Sequence, residues 1–136
     1  MLNIKKVILL AVFITIVTIG IIGGNYLISV QKYKAIIKEI KISNVDLSKV
    51  HDGTYTGSFD AIEVAAKVSV TVKDHKIEDI KLLSHKHDRG KPAEVIPADV
   101  VKAQSVKVDT ITGATNSSKV IEKSIENALV SGESQG

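Results

Sequence analysis

The chain has no cysteine and no tryptophan, only two prolines, three tyrosines and two phenylalanines among its 136 residues. Without cysteine there are no disulfides, no thiol nucleophile, no Cys-ligated zinc, no iron–sulfur cluster, no c-type haem attachment and no lipoprotein anchor. With so few aromatic rings (Phe13, Phe59, Tyr26, Tyr33, Tyr55) there is little to stack on nucleic-acid bases or sugars. An excess of one charge is missing as well. The net charge is +3; Lys5 and Lys6 precede an apolar segment, and the remaining basic residues nearly balance the 15 acidic ones. A nucleic-acid partner, which calls for a concentrated basic face, is therefore not expected. The length allows one domain with attachments.

What is present begins with an apolar run. Val7 to Gly24 carries no charge and is rich in Ile, Val and Leu. With Asn25 to Val30 as an interfacial extension it reaches the roughly 20 residues that cross a bilayer. Tyr26 and Tyr33 follow, where amphipathic rings favour the interface. A cleaved signal peptide would have a shorter core and a small-residue cleavage site. The following GGNYLISVQKYK offers none, so the segment is predicted to be an uncleaved anchor embedded in membrane lipid. Lys5 and Lys6 favour an inside N-terminus, whereas Lys32, Lys34, Lys38 and Lys41 pull the other way, so charge alone does not orient the anchor. A very short N-terminal tail before a single anchor and a folded domain favours export of the domain. The expected organisation is a cytoplasmic tail (1–6), a transmembrane anchor (7–28), a juxtamembrane helix and linker (29–49), a folded domain (50–130) and a disordered tail (131–136). That describes a single-pass cell-membrane protein with its domain on the extracytoplasmic side.

Within the domain, Asp52-Gly53 is turn chemistry and the following TYTGSF is β-prone. Ile62 to Lys73 alternates, with Val64, Ala66, Val68, Val70 and Val72 on one face. Asp74-His75 reads as a hairpin turn and Lys76 to Ser84 as the return strand, with Ile77 and Ile80 on opposite faces. Ala93 to Ser105 has helical spacing that Pro97 must start or kink. Val106 to Val108 reads as a short strand. Asn116 or Ser117 is placed to cap a last helix whose inward stripe is Val120, Ile121, Ser124, Ile125, Ala128 and Leu129. The predicted fold class is α+β: one N-terminal transmembrane helix, then a small domain with an antiparallel sheet and two or more helices.

The chemistry is concentrated in Asp109 to Ser118, DTITGATNSS, which leads into that last helix. Gly113 is free to take positive φ and leaves room for a phosphate, and Ala114 is small. Thr115 offers a hydroxyl at a helix start, and Asn116, Ser117 and Ser118 offer caps and donors. Free amides and the helix dipole make such a place an anion site. The same residues also make an ordinary turn and N-cap.

This segment resembles the D-x-x-(S/T)-G-A-T-x-(S/T)-S flavinylation motif of the FMN-binding domain family, which has members in the sodium-pumping NADH:quinone oxidoreductase and in the Rnf electron-transport complex. Asp52 to Gly57 is similar to the D-G-x-Y-x-G segment that often opens the domain, and Gln104-Ser105 with Val108-Asp109 matches the run-up to the motif. The resemblance covers about Val50 to Leu129. It implies an FMN-binding domain in which a flavin transferase, using FAD and Mg²⁺, links FMN through its phosphate to Thr115. It further implies cofactor contacts from Thr112, Gly113, Ala114, Asn116, Ser117 and Ser118, recognition of Asp109 by the transferase, and a weaker role for His85 near the flavin. The implied function is an electron carrier, not a stand-alone enzyme, taking electrons from a membrane redox partner and passing them to an extracytoplasmic acceptor. Two alternatives stay open: a non-covalent FMN or phospholigand module, and a cofactor-free structural subunit.

His85, His87 and Asp88 lack a matching ligand cluster elsewhere in the sequence, so no metal site is expected. No catalytic residue is assigned, because Ser117 and Ser118 lack a nucleophile-elbow motif and an identifiable base.

Overall fold

The computed structural model describes residues 3–133. Helix α1 (Ile4–Glu39) opens with Asn3, whose Oδ1 accepts the Lys5 amide at 3.2 Å. Its 36 residues extend about 54 Å. Its apolar N-terminal part buries nothing within the protein and is long and apolar enough to cross a membrane. No break falls at residue 28: the expected anchor and juxtamembrane helix are one helix up to Glu39. The start at Ile4 likewise draws Ile4 to Lys6 of the expected tail into the helix. The last turns change environment, with Ile37 buried and Ile36 and Ile40 packed against the domain core. The chain then runs extended to a single 3-10 turn at Leu47–Lys49.

Three antiparallel strands follow in the order β1 (Gly53–Asp60), β2 (Ala65–Lys73) and β3 (Lys76–Lys86). Asp74 and His75 both have positive φ, +51° and +61°, as a two-residue primed hairpin turn requires. Asp52 steadies that turn by accepting the Asp74 amide at 2.8 Å. The alternation read in β2 is real: Ala66, Val68, Val70 and Val72 are all buried.

In β3 the alternation is broken twice. Thr71 faces Asp79 but Val72 faces Ile77, so Glu78 is an extra residue; Lys67 faces Ser84 but Val68 faces Leu82, so Leu83 is another. Each bulge swaps the faces beyond it. Ile77 and Ile80, expected on opposite faces, are therefore both buried in the core. The second bulge leaves Leu83 exposed and sets His85 opposite buried Ala66, on the core side of the sheet.

A 3-10 turn (Lys91–Val95) leads into α2 (Ile96–Ala103), where Pro97 occupies the first turn, a position that needs no amide donor. Gln104 ends α2 at φ +52°. Its side-chain amide accepts from the Ile77 amide and donates to the Ile77 carbonyl, both at 2.8 Å, as a neighbouring strand would. Val106 to Val108 is not a strand: Val108 N–H turns back to the Val106 carbonyl and pairs with no sheet edge. Finally, α3 (Thr115–Glu133) crosses the inner face of β1 and β2, burying Val120, Ile121, Ile125, Ala128 and Leu129. Ser131 to Glu133, expected in a disordered tail, continue this helix because Gly132 is buried against Tyr55 and Val50; residues 134–136 lie outside the described residues. The result is a two-layer α+β domain carried on a long helix.

Helix and sheet touch backbone to backbone at Gly57. A Cβ there would lie 2.1 Å from the Ser124 carbonyl oxygen and 2.4 Å from the Ala128 amide. Gly57→Ala is expected to force α3 off the sheet and destabilise the domain by about 1–3 kcal/mol, read as a lower urea midpoint.

On the flank of α3, Glu122 is buried and its Oε1 has no hydrogen-bond partner. Burial raises its pKa to about 7; Lys119 pulls it down and Asp109 adds to the rise. The folded chain thus holds this proton up to about pH 7, while an unfolded glutamate releases it near pH ~4.3. Stability contributed by the neutral form is complete below the unfolded value and is lost as pH rises through the folded one. Glu122→Gln should match the native chain at pH 4 and exceed it by about 1 kcal/mol at pH 8, after allowance for solvent screening. Paired urea titrations at the two pH values test this.

Candidate cofactor site

At the N-terminus of α3 the loop 109–114 turns sharply. Gly113 has φ +82°, in the left-handed region, and a Cβ there would meet nothing within 4 Å. The glycine is demanded by backbone conformation and not by crowding. Ala114 N–H donates to the Ile111 carbonyl at 2.9 Å, and the Ala114 carbonyl accepts the Ser118 amide at 2.9 Å. Ser118 Oγ accepts from the Ile111 amide and donates to the Ala114 carbonyl. The helix therefore begins at Thr115 with Ala114 as its cap, two residues before Asn116 and three before Ser117, the expected caps, and the buried hydroxyl of Ser118 locks the turn from behind.

Thr115 and Asn116 are exposed at this end. The amides of Thr115, Asn116 and Ser117 precede the first intrahelical acceptor, so they face outward with the positive end of the helix dipole. They open on a cleft of about 560 Å³, a size that holds a cofactor. Gly113, Ala114, Thr115, Asn116 and Ser117 line it. Asp109, Thr112, Ser118 and His85 do not: Asp109 and Thr112 are exposed outside it, Ser118 holds the loop, and His85 stands behind Ser117.

Three further elements complete the cleft. The 88–90 loop contributes Asp88, Arg89 and Gly90, and the β1–β2 connection contributes Glu63 and Val64. That connection is strained, since Ile62 has φ +73°, rare for a β-branched residue. Asp60 Oδ1 accepts the Ile62 amide and Lys86 Nζ donates to the Ile62 carbonyl, which holds it there. The third wall is α1, through Tyr26, Val30 and Tyr33. Ser29 Oγ donates to Glu63 Oε1 and Asn116 Nδ2 donates to Tyr33 Oη, both at 2.8 Å. Tyr26, Val30 and Tyr33 fall at i, i+4 and i+7, one helical face, and this spacing was the signal available in the sequence.

Behind the cleft is a hydrogen-bonded array that sequence reasoning did not assemble. His85, 2% exposed at its side chain, lies between Glu94 and Ser117: Nδ1 is 3.1 Å from Glu94 Oε1 and Nε2 is 3.0 Å from Ser117 Oγ. His87 stacks on His85 with ring centroids 4.3 Å apart, and its Nε2 is 3.8 Å from Glu94 Oε1. Proton positions follow from the partners. A carboxylate only accepts, so His85 Nδ1 carries the hydrogen, and in the neutral ring Nε2 accepts the Ser117 hydroxyl. The Gly90 amide donates to His87 Nδ1 at 3.2 Å, which leaves the His87 hydrogen on Nε2, facing Glu94. The fold sets Glu94 beside His85 and His87, with ligand atoms within 4.8 Å of one another, so the three could hold a metal ion that displaces the ring hydrogens, a cluster that sequence spacing did not show. Asp88, grouped with the histidines in the sequence, is exposed beside Arg89 at the rim of the cleft. Gly90 fits closely over the array: a Cβ there would meet Ser117 Oγ at 1.9 Å. The array can pass a proton between exposed Glu94 and the cleft-lining Ser117.

These residues meet the needs of a flavin mononucleotide: a helix N-terminus for the phosphate and a cleft of cofactor size beside it. A family model of the FMN-binding domain matches residues 63–130, from the strained connection through most of α3. The chain belongs to the FMN-binding domain family. It is 36% identical over 96 residues to the NADH:acrylate oxidoreductase of Vibrio harveyi, an alignment that covers 68% of this chain and 9% of that protein. The chain thus corresponds to a small part of this curated relative. The crystal structure of the CPE2226 protein from Clostridium perfringens superposes with a TM-score of 0.52 at 25% identity, covering 63% of this chain and 91% of that one. The Asp52 to Gly57 segment lies outside the family match; in this fold Gly57 serves the contact with α3.

Gly113→Ala introduces a Cβ at left-handed φ without a clash, so its cost is conformational, about 1–2 kcal/mol. Urea denaturation should show that loss with an unchanged m-value.

Proposed function

We propose that the protein is a membrane-anchored electron-transfer flavoprotein that carries FMN as a phosphoester on Thr115, with its domain on the extracytoplasmic side. The observation that carries this reading is the position of the Thr115 hydroxyl: exposed, first in α3, within the cleft and beside outward-facing amides. A phosphodiester at that oxygen keeps one negative charge, which the amides and the helix dipole stabilise. A flavin transferase would load the site from FAD. The Thr115 oxygen attacks the FMN phosphorus, the pyrophosphate bond breaks, AMP leaves and the hydroxyl proton is released. Outside the cytoplasm a lost flavin is not replaced, and a covalent bond prevents the loss.

When bound, FMN supplies the redox chemistry. The chain's own residues have simpler tasks. Gly113 sets the turn, Ser118 fixes it, and Thr115 to Ser117 present the oxygen and the donors. His85, held by Glu94, keeps Ser117 in one orientation and gives the cleft a route for protons. A membrane-bound donor would supply electrons and an extracytoplasmic acceptor would take them. The kinship with an oxidoreductase supports a redox role, although the chain matches only a small part of it.

The test is the intact mass of the denatured full chain after co-expression with a flavin transferase. An increase of one FMN less one water, absent in Thr115→Val, is the expected result. Flavin that stays with the folded chain but is lost on unfolding would replace the ester with a non-covalent site. A colourless chain would leave the loop as a helix cap.

A further inference from the structure

The cleft has two chemically different walls, which meet where Asn116 bonds Tyr33. One is polar, formed by Gly113, Thr115, Asn116 and Ser117 at the start of α3. The other is apolar and aromatic, formed by Tyr26, Val30 and Tyr33 of α1 with Val64. Among the described residues no other aromatic ring lines this cleft. A residue that serves only to anchor a helix turns its ring into lipid. Tyr33 instead is half-buried against the domain, and its hydroxyl accepts a hydrogen bond from Asn116, the neighbour of Thr115. Ser29, between Tyr26 and Val30, is tied to Glu63 at the same wall.

Depth follows from the sequence of α1. Lys6 is the last charge before the apolar segment and Lys32 the first after it. About 20 residues counted from Val7 fill the hydrocarbon layer, which sets its edge near Tyr26. Tyr33, seven residues on, stands about 10 Å further along the axis, at the level of the lipid headgroups.

We propose that α1 completes the cofactor site: Tyr26 and Tyr33 hold the planar ring system of a flavin whose phosphate lies at the start of α3, so that the ring sits at headgroup depth. The proposal rests on the reading of the cleft as a flavin site, but not on the covalent bond. The chemistry of the two walls matches the two ends of FMN. An anionic phosphate goes to the amides, and a flat aromatic system goes to tyrosine rings, where stacked or edge-on contact is favourable. The membrane helix is then a binding element of the site as well as its tether.

The experiment uses the full chain, loaded with flavin and placed in lipid nanodiscs. Flavin load is read by absorbance and mass, and ring contact by emission yield and lifetime. A tyrosine against a flavin quenches it by donating an electron. Tyr33→Leu, Tyr33→Phe and Tyr26→Leu are therefore expected to brighten the flavin and lengthen its lifetime at unchanged load, while Tyr33→Trp stays dark. Tyr33→Phe keeps the bulk of the side chain, so brightening in that variant is not a folding defect. Spin labels on lipid headgroups should quench the flavin more strongly than labels at mid-chain. Equal brightness in all variants at equal load, or no quenching from headgroup labels, overturns the assignment. A native chain that binds no flavin in either form overturns the flavin reading and this one together, and it is recognised by the empty absorbance spectrum.

Discussion

Where β1 passes beneath α3, Gly57 lets the Ser124 carbonyl and the Ala128 amide approach within a distance that no Cβ allows. Much else depends on that contact. It sets the height of α3 above the sheet, and Val120, Ile121, Ile125 and Leu129 are buried in one core with Val68, Val70 and Val72. Ser124, which would be a buried polar liability, donates to carbonyls of Ala66 and Val120 at the same crossing. Gly132 repeats the close approach near the other end, against Val50 and Tyr55. With the helix seated at these points, its first turn projects past the sheet at a fixed place, and that turn holds Thr115.

The second organising device is irregularity in β3. Had the strand kept strict alternation, His85 would point away from α3. The bulge at Leu83 brings it to the core side, where it meets Ser117, and the loop that follows carries Glu94 to its other ring nitrogen. This explains which parts of the fold were legible in the sequence. The regular alternation of β2, the paired turn residues Asp74 and His75, the proline at the start of α2 and the stripe of α3 are local patterns, and local reading found them. The bulges are defined by pairing with another strand, so the faces of Ile77 and Ile80 were misassigned. Gln104 was noticed only as part of a motif run-up, because its role as a surrogate strand partner for Ile77 exists only in three dimensions.

The site divides in the same way. The segment from Gly113 to Ser117 was visible, since a glycine followed by hydroxyl and amide residues before an apolar stripe has a direct conformational meaning. Its walls were not. Arg89 and Gly90 lie in a polar loop whose place is set only by the fold, and Tyr26 and Tyr33 were read as interfacial rings, because a hydrophobic anchor draws attention to lipid and away from its own domain. Glu94 escaped notice because nothing in one dimension sets it beside His85.

The last turns of α1 are not an isolated stalk. Besides the bonds of Tyr33 and Ser29, the stretch that follows is fastened to α3, with the Ser43 amide on Glu126 Oε2 and the Lys123 ammonium on the Lys41 carbonyl. A helix that is continuous through 36 residues and hydrogen-bonded to the domain through Ser29 and Tyr33 places no loop between its apolar part and those contacts. Such a protein behaves as a post and not as a leash. In the membrane setting proposed above, it would carry its site in the plane of the bilayer and present the same side to its neighbours. Encounter would then be a two-dimensional search with a fixed heading, in which the geometry of the helix, more than the reach of a tether, decides which neighbours the cleft can serve.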